Sequence, residues 1–215
     1  YGVITDSYSS STVSGTGYIG GFAGNNEGTI DNCYATGSAS GSPSLDTGIG
    51  GLVGSNINGT ILYSHSTASV SGTDFYVGGL VGILDLLVPT EEFTTIENSY
   101  YDYDNVLING SKQYGVGSLR NTYFTDWLAN GKTFDLTTYG FLEESGYYLL
   151  NNLEQFKVIR EISLSPSIKF KLNSNIDLTS EPGFRVHAFN SDFDGGGYEI
   201  SNININLTAP QDRMV

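Results

Sequence analysis

Apolar and polar residues alternate over short stretches of this chain, and glycine-rich turns separate the stretches. The alternation is clearest in segments of the type Ile-x-x-Ser-Tyr, Ala-x-Val and Gly-Leu-Val-Gly. A period of two residues between glycine boundaries is typical of β-strands, whereas an amphipathic helix needs apolar positions three and four residues apart. The pattern therefore predicts an all-β fold made from many short strands.

The strand pattern also repeats in register along the chain. Complete copies open at Ile4, Ile30 and Ile61, and a partial fourth copy opens at Ile96. In each copy a small residue and a ring follow the isoleucine at +3 and +4, and each complete copy ends in a Gly-Gly pentapeptide (20–24, 50–54 and 78–82). Constant segments joined by loops of variable length predict the stacked coils of a β-solenoid.

The repeated apolar and glycine positions are the predicted core and corners of these coils. One copy cannot bury its inward face alone, so equivalent residues of stacked copies should pack in columns. The glycines suit corners that need either a positive φ or a close backbone approach. The predicted structural core is Ile4, Ile30, Ile61, Ile96, Gly20, Gly21, Gly50, Gly51, Gly78, Gly79, Leu52 and Leu80.

The strings Gly-Gly-[Leu/Phe]-[Val/Ala]-Gly and Gly-Thr-Ile-x-x-[Ser/Cys]-Tyr resemble the GLUG repeat of large secreted or surface-anchored bacterial proteins. The resemblance covers about residues 2–105. The GLUG family includes adhesins and the non-catalytic repeat regions of some immunoglobulin A peptidases. It implies a right-handed parallel β-helix and a role in adhesion or in presenting other domains.

Three segments are expected along the chain. Residues 1–110 are the last coils of a GLUG-type solenoid, 111–146 a closing cap or linker, and 147–215 a helical cap with the first rungs of a following β-helix, so the chain is expected to be part of a longer array. In the cap, a short helix over 122–129 should bury Trp127, Phe124 and Phe134 over the open end of the solenoid. In the last segment, Asn152 is expected to cap a helix with the apolar stripe Leu153, Phe156, Ile159 and Ile162.

Charge restricts the partners of the chain. Its net charge is −14, and residues 1–111 carry 11 acidic side chains and no Lys or Arg. Such a surface repels nucleic-acid phosphates and anionic lipid, and no apolar run is long enough to span a membrane. We expect an extracellular or cell-surface location, where the partners are other modules of the same polypeptide, identical subunits end to end, or a glycan or protein on a neighbouring surface.

Few side chains fit catalytic or cofactor chemistry. Gly15-x-Gly17-x-x-Gly20 matches a dinucleotide fingerprint, but no helix pattern follows it. His65 occupies the ring position of its repeat and His187 is the second histidine of the chain, with no zinc-peptidase spacing. Cys33 is the single cysteine, which excludes an internal disulfide, and it stands where other copies have serine. We expect no bound cofactor.

Acidic and amide side chains leave three weaker alternatives. Asp102, Asp104 and Asn105 offer oxygens to Ca²⁺, without the Gly and Glu of a calcium-binding loop. Asp192 and Asp194 form a carboxylate pair of the kind that glycoside chemistry uses, with no basic residue beside them in the sequence. Acceptor sequences for N-glycosylation occur at Asn58, Asn109 and Asn206.

The predicted function is a non-enzymatic structural or adhesive module that acts as a stalk, filament or adhesion scaffold. The alternative is a carbohydrate-binding or polysaccharide-active β-helix module. The direction of the tyrosine rings separates the two. Rings stacked in an inward column favour the scaffold, and three or more rings in an exposed groove beside carboxylates favour glycan binding.

Overall fold

The structure is a computed structural model that describes residues 2–42, 47–73, 76–84 and 94–205. Most regular structure in these residues is β-strand, and the helices are few and short. The all-β expectation agrees with this composition. Within the described ranges, no helix combines the length and the apolar character that crossing a membrane requires.

The strands of the described residues are short. In chain order they are β1 (Val3–Thr5), β2 (Tyr8–Ser9), β3 (Thr12–Gly15), β4 (Ile19–Gly20), β5 (Ala23–Asn26), β6 (Thr29–Asp31), β7 (Tyr34–Ala35), β8 (Ser38–Gly41), β9 (Ile49–Gly50), β10 (Val53–Asn56), β11 (Thr60–Leu62), β12 (His65–Ser66), β13 (Ser69–Gly72), β14 (Val77–Gly78), β15 (Val81–Leu84), β16 (Thr95–Glu97), β17 (Tyr100–Asp102), β18 (Ser118–Leu119), β19 (Glu143–Glu144), β20 (Tyr147–Leu150), β21 (Lys169–Leu172), β22 (Ile176–Asp177), β23 (Asp192–Asp194) and β24 (Ile200–Ser201). The helices are α1 (Asn121–Ala129), a 3-10 helix (Leu136–Tyr139), α2 (Leu153–Phe156) and α3 (Ile159–Ile162).

Strands β1 to β18 form five stacks in which every neighbouring pair is parallel. The orders are β1-β6-β11-β16, β18-β17-β12-β7-β2, β13-β8-β3, β14-β9-β4 and β15-β10-β5. The chain thus passes through all five stacks before it returns to the first. Ile4, Ile30, Ile61 and Ile96 pair directly with one another in the first stack, which is the register of copies that the sequence indicates.

The repeated apolar side chains fill the space inside the stacks. Leu52, Leu80, Ile30, Ile61 and Ile96 are all buried.

Ile4 differs from the other isoleucines of its column, because it is 46% exposed. Strand β1 is the last strand of its stack, and no described strand covers its other side. The prediction that Ile4 is a core residue is therefore wrong for the described chain.

The Gly-Gly corners are explained by close backbone approach. A Cβ on Gly50 would overlap the carbonyl oxygen of Val53, and one on Gly51 would overlap the carbonyl oxygen of Gly79. Neither glycine has a positive φ, so of the two reasons expected for these corners only close approach applies. Backbone carbonyls confine Gly20, Gly21 and Gly78 in the same way, whereas a Cβ on Gly79 would overlap the ring of Tyr101.

A left-handed residue follows the first strand of each copy. The φ angles are 50° at Asp6, 51° at Asn32, 46° at Tyr63 and 44° at Asn98. Asn and Asp tolerate this conformation because their short polar side chains bond locally, whereas Tyr adopts it at a cost in free energy. The amide of Asn32 also donates to Asp6 of the copy below at 2.5 Å, so this column is held by side chains as well as by backbone.

The C-terminal residues form two smaller sheets, β19-β20-β21-β23 and β22-β24. The expected helix after Asn152 is split into α2 and α3. Its predicted start is correct, because the side-chain oxygen of Asn152 accepts a hydrogen bond from the backbone N–H of Gln155 at 3.0 Å. Phe156, Ile159 and Ile162 are buried as the stripe requires.

The C-terminal residues also cover the far end of the first stack. The N–H of Asn98 donates to the carbonyl of Leu164 at 2.9 Å, and the amide of Asn190 donates to the carbonyl of Ile96 at 2.7 Å. Helix α3 lies against β18. One buried apolar cluster consequently runs from Ile30 in the second copy to Phe184 near the C-terminus.

Candidate functional site

The rings at the +4 position form a column on the outside of the stacks, here called the ring column: Tyr8, Tyr34, His65 and Tyr100. The next residue of each strand points to the opposite face, and Ala35, Ser66 and Tyr101 fill the interior there. The rings of Tyr8 and Tyr34 stack with centroids 5.1 Å apart, and those of Tyr34 and His65 with centroids 5.0 Å apart.

Helix α1 and the residues after it cover the end of the ring column that holds His65 and Tyr100. Trp127 meets Tyr100 edge-on with ring centroids 5.2 Å apart, and Phe124 meets His65 at 5.7 Å. As a result Tyr100 is fully buried, whereas Tyr8 at the other end is 65% exposed. The prediction that Trp127, Phe124 and Phe134 cover the open end of the solenoid is therefore corrected, since they pack on the side of the stacks.

Lys132 connects this cover, formed by α1 and the residues after it, to the second and third copies. Its Nζ donates to the side-chain oxygen of Asn32 and to the carbonyl oxygen of Tyr63, and it lies 5.6 Å from the centre of the Trp127 ring. Burial lowers the pKa of Lys132, and the nearby carboxylate of Asp31 acts in the opposite direction. We call the contacts of Lys132 with Asn32 and Tyr63 the lysine clasp.

The +3 position forms a column of hydroxyl groups in which Cys33 takes one place. Ser64 Oγ accepts from the N–H of Cys33, and Ser99 Oγ accepts from the N–H of Ser64, both at 3.0 Å. Cys33 is fully buried, and burial raises the pKa of its thiol. A buried thiol in a serine column packs as a small side chain and lacks the thiolate character of a nucleophile.

One segment that contributes to these columns matches a known sequence family. Residues 15–40 match the family model of the GLUG motif. The matched segment contains the first Gly-Gly corner, Ile30 and the ring of Tyr34. No curated protein and no solved structure gives a significant match to the chain.

The ring column offers little surface for stacking a sugar. Both faces of Tyr34, within the GLUG segment, are already covered by Tyr8 and His65. A cavity of about 30 Å³ lies between α1 and the 3-10 helix, lined by Asp126, Trp127, Asn130, Thr133, Phe134, Asp135, Thr138 and Tyr139. Small-molecule sites usually enclose about 300–1,000 Å³, so this cavity has room for water and not for a sugar ring.

His65 is half-buried and His187 is buried, and both are neutral at physiological pH. Burial, and then the charge of Lys132, lowers the pKa of His65 to about 4. Burial, Arg185 and Arg160 lower the pKa of His187 to about 4. Within the described residues, no three His, Cys, Asp or Glu side chains come together at one point where a metal ion would sit.

The carboxylates considered for calcium anchor helix α1 just beyond the GLUG-like copies. Asp104 accepts from the N–H of Asn121 at 2.9 Å and pairs with Lys112 at 2.9 Å, which lowers the pKa of Asp104. Asp102 accepts from the amides of Asn105 and Asn121 at 2.7 and 2.8 Å. Protein donors thus occupy the positions that Ca²⁺ would need.

The carboxylate pair of β23 has basic partners that the sequence does not reveal. Asp192 pairs with Lys169 at 2.7 Å and Asp194 with Lys171 at 3.5 Å, across neighbouring parallel strands. The sequence shows no basic residue beside this pair, but in the folded chain each carboxylate has a lysine partner. The expectation that the pair lacks basic neighbours is therefore wrong. These are exposed ion pairs, which typically contribute about 0–1 kcal/mol.

The described acceptor asparagines lie in left-handed turns. Asn58 is half-buried with φ 56°, and Asn109 is exposed with φ 51°. The side-chain oxygen of Asn109 accepts from the N–H of Gly72 at 2.7 Å. Asn206 lies outside the described residues.

Two buried polar pairs were not expected from the sequence. Asn26 of the GLUG segment donates to Asn56 of the next copy at 2.6 Å; the strings NNEG and NING carry the signal, an Asn shortly before Gly in successive copies. Glu161 has a fully buried side chain that pairs with Arg120 at 2.7 Å. Burial raises the pKa of Glu161 while Arg120 opposes the rise, and this pair joins the start of α1 to α3.

Proposed function

We propose that the chain is a non-enzymatic structural and adhesive repeat module of an extracellular surface protein, and that its parallel stacks form a right-handed β-helix. The observation that carries the proposal is the common register of the five stacks, in which each complete copy adds one strand to every stack. A chain built in this way gains length with each repeat while neighbouring repeats support one another. Its partners would be other modules of the same polypeptide, identical subunits, or a molecule on a neighbouring surface.

The polar groups of the copies support a scaffold. The hydroxyl column, the Asn26–Asn56 pair and the carboxylates of Asp102 and Asp104 all bond within the chain. The acidic first half also favours partners other than nucleic acid or an anionic membrane.

Removal of one whole coil tests the scaffold. Deletion of residues 30–60 joins Thr29 to Ile61, so the stacks close again in the same register with one strand fewer in each. We expect this variant to keep a β-type far-UV circular dichroism spectrum and a cooperative thermal transition. It also keeps His65 and Tyr100 for Trp127 to pack against, so the tryptophan fluorescence should stay close to that of the full chain.

The matched control removes only part of a coil. Deletion of residues 30–41 removes three of the five strands of one copy, so β9 and β10 lose the strands that precede them in the same coil. We expect the cooperative thermal transition to be lost. Equal damage by the two deletions would contradict the scaffold.

Adhesion is tested by coating beads with the chain. Beads carrying the folded chain should attach to a target cell layer more than beads carrying the 30–41 deletion. Equal attachment would mean that the folded surface has no adhesive role.

A carbohydrate-binding function is the second candidate, favoured by the exposed rings of Tyr8, Tyr18 and Tyr63. A glycan array probed with the chain tests it. Binding that disappears in Tyr8→Ser would support it, whereas an array without binding would leave the scaffold as the better account.

A further inference from the structure

Three Asn-Gly pairs occur in the chain, and the structure places them in different environments: Asn58-Gly59, Asn109-Gly110 and Asn130-Gly131. In such a pair the backbone nitrogen of Gly can attack the side-chain carbonyl carbon of the preceding Asn. Gly makes the attack easier because it has no Cβ and rotates freely. The reaction needs an Asn side chain and a following peptide that are free to turn.

The first two pairs are held in place. The N–H of Asn58 donates to Thr94 Oγ1 at 3.1 Å, and the carbonyl of Gly59 accepts from the N–H of Thr95 at 3.0 Å. Asn109 is tied by its own N–H to the carbonyl of Val70 at 2.9 Å and by its side-chain oxygen to the N–H of Gly72. Gly59 is also buried, and a Cβ on it would overlap the carbonyl oxygen of Asn26. Attack at either site would therefore first require the surrounding structure to open.

The third pair lies on the surface at the C-terminal end of α1. The N–H of Asn130 donates to the carbonyl of Asp126 at 2.8 Å, and the carbonyl of Asn130 accepts from Thr133 Oγ1 at 2.8 Å. Asn130 and Gly131 are both exposed. The two groups that react, the side-chain amide of Asn130 and the N–H of Gly131, make no hydrogen bond to any described residue. Gly131 has φ 66°, and its Cα faces open space. Both reacting groups are thus exposed and without a hydrogen bond at this position.

We propose that Asn130 is a site of spontaneous deamidation in the folded protein. The nitrogen of Gly131 bonds to Cγ of Asn130, the bond from Cγ to Nδ2 breaks, and ammonia leaves with the proton lost by Gly131. Water then opens the resulting succinimide at either carbonyl, giving Asp or isoaspartate. The step needs no oxidant, reductant or cofactor.

The product changes the surroundings of the lysine clasp. A carboxylate at position 130 joins Asp126 and Asp135 at the same cavity, and neighbouring like charges repel. The isoaspartyl form also lengthens the backbone two residues before Lys132. The longer backbone moves Lys132 relative to Asn32 and Tyr63, and the new carboxylate competes with them for the ammonium group of Lys132, so modification loosens the cover over the ring column.

Peptide mapping after incubation at mildly alkaline pH tests the site. Trypsin cuts after Arg120 and Lys132, which isolates residues 121–132 and separates Asn130 from the other two pairs. We expect the mass increase of deamidation to accumulate there about tenfold faster than in fragment 1–112, which carries Asn58 and Asn109 together, because opening the structure around those two pairs costs on the order of 1–2 kcal/mol. In urea, where all three pairs are released, the three rates should converge.

Two outcomes would overturn the proposal. One is conversion of Asn58 or Asn109 as fast as Asn130 in the folded chain, and the other is a fragment 121–132 that keeps its mass while the urea sample converts. Asn130→Ser serves as the control variant, because it removes the amide and keeps a small polar side chain. The fluorescence of Trp127 should shift to longer wavelength as the parent chain ages and stay constant in Asn130→Ser.

Discussion

Tyr63 is the residue with the least favourable backbone conformation among its equivalents. It has φ 46° in a column whose other members are Asp6, Asn32 and Asn98. A residue with a Cβ and no local side-chain bond loses about 1–2 kcal/mol in the left-handed region. The ring of Tyr63 is 41% exposed, so little packing offsets that loss.

We expect Tyr63→Asn to raise the free energy of unfolding by about 1 kcal/mol. Asn tolerates the left-handed conformation, and the carbonyl that receives Lys132 belongs to the backbone and is retained. Urea unfolding of the two chains measures the difference. Tyr63→Ala is the control, since it removes the ring without supplying a side chain suited to positive φ. An equal gain in both variants would show that the ring, and not the backbone, is the source of the strain.

Acid acts on the ring column through His65. His65 stays neutral in the folded chain because its pKa is lowered to about 4, against an ordinary value of 6.5. Between these two values the unfolded chain binds a proton that the folded chain does not. Stability is therefore unaffected by this group above pH 6.5 and falls as the pH drops toward 4.

We expect His65→Tyr to reduce this loss of stability. Tyr is the ring of the neighbouring copies and carries no charge in this pH range, so the variant should keep the stack with Tyr34. The chain with His65 should lose up to about 3 kcal/mol more than the variant between pH 6.5 and 4. Urea unfolding at a series of pH values gives both curves, which should be parallel above pH 6.5. Parallel curves over the whole range would mean that His65 is not held neutral by the fold.

The continuous buried cluster from Ile30 to Phe184 decides how the whole molecule unfolds. The segments expected from the sequence, 1–110, 111–146 and 147–215, all contribute to it. The Arg120–Glu161 pair further joins the second segment to the third. Separate modules with a flexible linker would not share buried side chains in this way.

We expect a single unfolding transition for the whole chain. Trp127 fluorescence reports on α1, and far-UV circular dichroism reports on all strands, so the two curves should coincide. Arg120→Met leaves the Glu161 carboxylate buried without this partner and should lower stability by about 3 kcal/mol while the curves still coincide. Two separated transitions in the parent chain would support independent segments instead.

The sequence by itself determined the strands, the register of the copies and the residues that fill them. A period of two residues and a fixed spacing from Ile to the Gly-Gly corner leave one way to stack the copies, so Ile30, Ile61 and Ile96 lie in one column. The N-cap at Asn152 is equally local, because a cap depends on residues three positions apart. Such features are readable since neighbours in the chain decide them.

Only the tertiary structure decided which surfaces meet. The packing of α1 beside the ring column, the reach of Lys132 to Asn32 and the pairing of Lys169 with Asp192 all join residues far apart in the chain. The exposure of Ile4 likewise depends on what lies beyond its strand. Repetition specifies how a coil stacks on its own kind, but where unlike segments pack is set by the shape and charge of surfaces that exist only after the coils have formed.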